Sequence, residues 1–165
     1  MPRLLQRARQ EAAEGVIVFG EAGDDVVFGD READLMRGGP GSDVFAFTGL
    51  GDAPIAGAGA DFGQIDRILD WGSAAGDDDR IDLFGDYFAA DYEETDVFAR
   101  TMEEALAMAN LLMADGDRVV VVPFQDLGGA FGVLAFWDTN GDLIADQAVR
   151  VDSITIGQIG ADDFV

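Results

Sequence analysis

The chain has 165 residues, a length that fits one domain, and 48 % of them are hydrophobic, enough to build a core. Ten basic residues, all Arg, face 33 acidic ones, and the formal charge of −23 repels phosphate backbones and argues against nucleic-acid binding. Cys and His are absent, which excludes disulfides, thiolate sites, His-based triads and zincin-type proteolysis, and no apolar run approaches the ~20 residues of a bilayer span.

Residues 2–13 (PRLLQRARQEAA) favour a short helix, with Pro2 in its first turn and Leu4, Leu5 and Ala8 as a weak apolar stripe. Arg3, Arg7 and Arg9 make it the only basic segment. It reads either as a cap on the end of a stack or as an arm that docks a protein partner through residues 1–14. The arginines precede no apolar h-region, so no cleaved leader is expected.

A nine-residue period starts at Gly20: GEAGDDVVF, GDREADLMR and GGPGSDVFA follow one another without a gap. Each unit opens with Gly (Gly20, Gly29, Gly38), has Asp sixth (Asp25, Asp34, Asp43) and an apolar residue eighth (Val27, Met36, Phe45). The fourth place holds Gly23, Glu32 and Gly41. Six turn residues, with Gly supplying positive φ, followed by three strand residues make a unit that cannot bury its apolar face alone. The units must therefore stack. Two of them form one coil, so that turns n and n+2 lie above one another and bring carbonyl oxygens and two carboxylates to one gap. Oxygen-only ligands on such turns suit Ca²⁺ better than Zn²⁺ or Cu²⁺. A solvated acid-loaded surface, as in salt-adapted proteins, is the competing reading of the same acids, of which 25 are Asp and 8 are Glu.

GGPGSDVFA meets every defined position of GGxGxDxUx (U apolar) and so resembles the RTX, or haemolysin-type, calcium-binding repeat. The other units depart from it at Glu21, Asp30 and Glu32, and the preceding EAAEGVIVF carries Val16 where Asp is expected. The candidate ligand-bearing turn residues are Gly20, Ala22, Gly23 and Asp25, then Gly29 and Asp34, then Gly38, Gly39, Pro40, Gly41 and Asp43. The turns at 20–25 and 38–43 are expected to share an edge and one Ca²⁺. The turn at 29–34 is expected to meet FTGLGD (47–52) and its Asp52, and AGAGAD (56–61) offers Asp61 in register with Asp43, or is a linker.

Residues 66–83 read as two strands around a Gly/Ala/Asp turn. They resemble the segment that closes the roll in serralysin-type C-terminal domains, with Trp71 in place of Phe. The resemblance implies ligation by some of Asp66, Asp70, Asp79 and Asp82; solvated turn carboxylates are the alternative. Thr101-Met-Glu-Glu104 is a capping-box signature that opens a helix over about 101–114. RVVVVPF (118–124) and GVLAFW (132–137) are strands around the turn DLGG. In DTNGDLIAD (138–146), Asp138, Asn140, Asp142 and Asp146 are spaced like part of a calcium loop, but Asn140-Gly141 favours a hairpin. The ending Asp163-Phe164-Val165 resembles the uncleaved signal of type I secretion substrates, or docks Phe164 on the last strand.

The expected fold is mostly β: a short parallel β-roll of nonapeptides continued by antiparallel strands, with an N-terminal helix and one helix near 101–114. The expected organisation is 1–14 as cap or arm, 15–98 as roll and closing strands, and 99–165 as helix and hairpins, in one continuous unit. The resemblance implies a secreted, non-catalytic Ca²⁺-binding protein, extracellular or at the cell surface, handled by type I secretion machinery. The alternative is a structural or interaction subunit docking through its N-terminal arm, and loss of a partner on deleting residues 1–14 would favour it. Glycosidase chemistry is disfavoured because the acids sit in repeat turns, and ice binding because no flat Thr array is present.

Overall fold

The structure is a computed structural model that describes residues 15–49, 51–55, 62–72, 76–83 and 89–165. The expected helix over 2–13 and the AGAGAD turn with Asp61 lie outside the described residues. The protein is mostly β, with ten strands and one α-helix among the described residues. Strands β1 (Ile17–Phe19), β2 (Val26–Phe28), β3 (Leu35–Arg37), β4 (Val44–Phe47), β5 (Asp66–Ile68) and β6 (Arg80–Leu83) fall alternately into two sheets. β1, β3 and β5 pair in parallel in one sheet, and β2, β4 and β6 pair in parallel in the other.

The register follows the apolar eighth place. Val18, Met36 and Ile68 align across one sheet, and Val27, Phe45 and Ile81 across the other. All six are buried between the sheets. A three-residue strand buries little, but the inward side chains stack on their counterparts in neighbouring strands, so the column is stable where one unit is not.

Strands β7 (Tyr92–Glu94), β8 (Val119–Gln125), β9 (Phe131–Trp137) and β10 (Gln147–Asp152) extend the first sheet to the order β1-β3-β5-β10-β9-β8-β7. β10 runs parallel to β5 and antiparallel to β9, which joins the repeat region to the rest of the chain through one continuous sheet. The strand alternation explains the run of four valines in β8. Val119 and Val121 face the space between the sheets, while Val120, Val122 and Phe124 face a second core on the other side.

The helix α1 (Met102–Met113) covers that second core with Met102, Ala105, Ala109 and Met113. Thr101 caps its start as expected, its hydroxyl accepting from the Glu104 N–H, but Glu104 accepts from the N–H of Arg100, one residue before the cap, and so does not complete the box. Among the described residues no helix is long and apolar enough to cross a membrane.

Two connections differ from expectation. β9 and β10 are antiparallel as expected, but Asn140-Gly141 is not a two-residue turn between them. The whole of 138–146 is the connection, built on the buried Asp138, which accepts from the N–H groups of Asn140, Gly141 and Leu143. The C-terminal residues dock on β6 rather than on the last strand. Val165 donates to Ile81 O and accepts from the Leu83 N–H, while Phe164 packs on Tyr92 with ring centroids 5.7 Å apart.

Candidate metal centre

The site begins with a period-2 consequence of the repeat. Asp is sixth and the inward apolar residue eighth, so both point to the same side of the chain. The carboxylates of Asp25, Asp34 and Asp43 are therefore buried at the ends of the apolar columns, each under 4 % exposed. Asp66 and Asp79 stand two residues before Ile68 and Ile81 and are buried in the same way.

They form two ladders, one on each edge. On the first edge the Asp25 N–H donates to Asp43 Oδ1 at 2.9 Å, and the Asp43 N–H donates to Asp79 Oδ1 at 2.9 Å. The turns at 20–25 and 38–43 lie over one another as expected: Gly20 donates to Arg37 O at 2.8 Å and Gly23 to Pro40 O at 2.9 Å. Asp70 closes the top of this edge, accepting from the Gly38 and Gly39 N–H groups at 3.1 Å each. Asp79 also accepts from the Gly72 N–H at 2.7 Å. On the second edge the Val16 N–H donates to Asp34 Oδ1 at 2.8 Å, and the Asp34 N–H to Asp66 Oδ1 at 2.6 Å. Val16, standing where Asp was expected, ends this ladder.

The remaining oxygens define the chemistry. The Oδ2 atoms of Asp25, Asp43 and Asp66 are buried and accept no hydrogen bond. A carboxylate oxygen held out of water without a donor is costly unless a proton or a cation compensates it. Burial pushes the Asp43 carboxyl up to about 6 and Asp66 up to about 9, and raises Asp34 and Asp79 as well. The neighbouring charges of Asp79, Asp25 and Asp70 add to the shift at Asp43, and those of Asp34, Asp30 and Asp52 to the shift at Asp66. Buried hard oxygens of one sign beside main-chain carbonyls fit a hard divalent cation such as Ca²⁺. Among the described residues no three acidic side chains form a metal-holding group, so main-chain carbonyls would have to complete each ligand set.

The glycines of the third unit serve this packing. The leading Gly38 does not have the positive φ expected of it; a methyl there would overlap the Asp43 carboxylate. Positive φ belongs to the second and fourth places instead, at Gly39 (98°) and Gly41 (143°). In the first unit Glu21 adopts φ 81° where the repeat has Gly, followed by the exposed Ala22 and by Gly23 at φ 116°. The turn at Gly29–Asp34 has another shape: Asp34 Oδ2 accepts from the Asp30 N–H, and Asp30 accepts from the Glu32 N–H.

One expectation is corrected. The turn stacked on 29–34 is not 47–52: β3 pairs with β5, so Asp66 occupies that place. Asp52 turns back on its own loop, accepting from the Gly49 N–H at 2.6 Å. Asp43 is stacked under Asp79. Asp82 lies on the outward face of β6, alternating with the buried Ile81 and Leu83, and is not part of either ladder. The signal that marks Asp66 is the triplet Asp-x-apolar, which recurs as Asp66-Arg67-Ile68 and Asp79-Arg80-Ile81 after the nine-residue spacing has ended.

No protein-family model matches this chain, and no curated protein is significantly similar to it.

Proposed function

We propose that this is a non-catalytic calcium-binding protein of the haemolysin-type repeat kind, whose stacked Gly/Asp turns form a short parallel β-roll ordered by Ca²⁺. The observation that carries the reading is the set of buried carboxylate oxygens without donors, in register along two edges of the stack. Asp25 and Asp43 would hold one ion with carbonyls of their turns, Asp43 and Asp79 a second in the same way, and Asp34 and Asp66 a third on the opposite edge. Bound Ca²⁺ supplies charge neutralisation and ties neighbouring turns together. The alternation of strands between two sheets and the Val18–Met36–Ile68 and Val27–Phe45–Ile81 columns support a roll.

The function follows from linkage. A charge of −23 opposes compaction, and cation binding to the folded state alone offsets it. With extracellular-type sites of Kd roughly 10⁻⁴–10⁻³ M, the chain would be loose at cytosolic calcium and ordered outside the cell. At free Ca²⁺ of about 100 Kd each site adds on the order of 2.7 kcal/mol. This fits a protein exported unfolded by a type I route that becomes rigid in the exterior medium. The test is circular dichroism and thermal melting with millimolar-range Ca²⁺ against chelator. A calcium-dependent gain of β signal and a rise in Tm are expected; identical spectra and Tm would overturn the reading.

A further inference from the structure

The geometry points to a second, metal-independent site: a cavity at the N-terminal end of α1 that takes a monocarboxylate carrying an apolar body. The cavity measures about 690 Å³, within the range of small-molecule sites, and its apolar walls are Phe62, Met102 and Leu127. Two of the chain's ten arginines, Arg100 and Arg150, also line it. In a molecule with 33 acidic residues that pairing is contrary to composition.

Arg150 is only 5 % exposed. Its guanidinium lies 4.5 Å above the Phe124 ring, its Nε donates to Asp152, and its Nη1 reaches the Phe62 carbonyl at 3.5 Å. Its Nη2 has no hydrogen-bond partner among the described residues. Asp152 cannot neutralise the cluster alone, because it also accepts from Arg67. Arg150, which lines the cavity, thus shares one carboxylate with a second guanidinium. Arg100, exposed at the rim, forms no ion pair among the described residues. A planar guanidinium fork matches a carboxylate, and a partly desolvated one gains most from it.

The walls set the rest of the ligand. Leu127 is 89 % exposed on the rim and would be covered by an aliphatic or aromatic body. The rim acids Glu103 and Asp126 disfavour a dianion such as phosphate, and Asp126 is already held by the Gly128 and Ala130 N–H groups. The shared chemistry is one carboxylate on an apolar chain, supplied either by a free fatty acid or by the terminal residue of a peptide.

The test uses the full-length ¹⁵N-labelled protein titrated with decanoate, N-acetyl-leucine and decanol, read as amide shifts at Met102, Leu127 and Gly128. Saturable shifts with at least one carboxylate at roughly millimolar concentration or below are expected, with decanol at least tenfold weaker. Saturation by decanoate alone identifies a lipid-type acid, and saturation by N-acetyl-leucine identifies a peptide terminus. Arg100→Gln should weaken binding about tenfold without altering the fold, since the side chain is exposed. Leu127→Asp, also on the exposed rim, should weaken it by a similar factor. Absence of saturation with both acids, equal affinity for decanol, or an Arg100→Gln variant that binds as the parent does would each overturn the inference.

Discussion

At the scale of single residues, the proposed calcium binding predicts that the ladder carboxylates act in opposite ways with and without the cation. Asp43 Oδ1 accepts from the Asp25 N–H, while Oδ2 has no donor. Asp43→Asn keeps an oxygen for the first role and removes the charge from the second. In chelator the substitution is expected to stabilise by about 1 kcal/mol, and in saturating Ca²⁺ to destabilise by about 1–3 kcal/mol. Urea unfolding in the two buffers measures both signs; the same sign in each would remove Asp43 from the ligand set. Glu21 shows a different tension, because its φ of 81° suits Gly, and Glu21→Gly should raise stability by up to ~1 kcal/mol. Space as well as φ governs the turn above it. A methyl at Gly39 would overlap the Glu21 carbonyl oxygen, whereas one at Gly129 meets open space at a similar positive φ. Gly39→Ala is expected to cost more than ~3 kcal/mol and Gly129→Ala about 1 kcal/mol, compared by thermal melting.

At the scale of elements, the second sheet is the weakly buttressed one. It has three strands, and its β6 edge is completed by the C-terminal residues through the Val165–Ile81 and Leu83–Val165 hydrogen bonds. Phe164 is buried against Tyr92 and the shared core. Phe164→Ala should therefore cost about 3 kcal/mol, read as a lower urea midpoint. The same docking means that the residues resembling an export signal are packed in the folded chain. Thr101→Ala removes only the N-cap of α1 and should cost about 1 kcal/mol, with amide exchange rising in the first helical turn and not in the ladders.

At the scale of the whole molecule, charge sets the response to pH. The folded-state values of Asp43 and Asp66, about 6 and about 9, lie above the ordinary 3.8. Between those limits the folded chain holds more protons than the unfolded one, so stability falls as pH rises through the window. Self-repulsion among 33 acidic residues acts in the same direction. In chelator, Tm is expected to be higher near pH 5 than near pH 9. A Tm that rises with pH in that buffer would mean these carboxylates are compensated by something other than protons.

Much of this architecture was legible in the chain because its signals are local. A period of nine with Asp and an apolar residue two apart specifies which side chains point inward, whatever the partner strand is. The capping signature at Thr101–Glu104 and the doubly buried run of β8 are equally short-range signals. The pairing partners are another matter. The insert between Phe47 and Asp66 breaks the period, and loop length alone does not say whether 47–52 or 66–68 lies over the Gly29–Asp34 turn and β3. That choice is made by burial: Ile68 completes the Val18–Met36 column and Asp66 receives the Asp34 N–H, while Asp52 satisfies its own turn. The Arg100–Arg150 cavity likewise joins residues fifty positions apart, which only the packing of α1 on the sheet through β8 and β9 brings together. Local spacing thus determined what each segment presents, and long-range burial decided what it meets, because a buried group is stable only where its neighbours satisfy it.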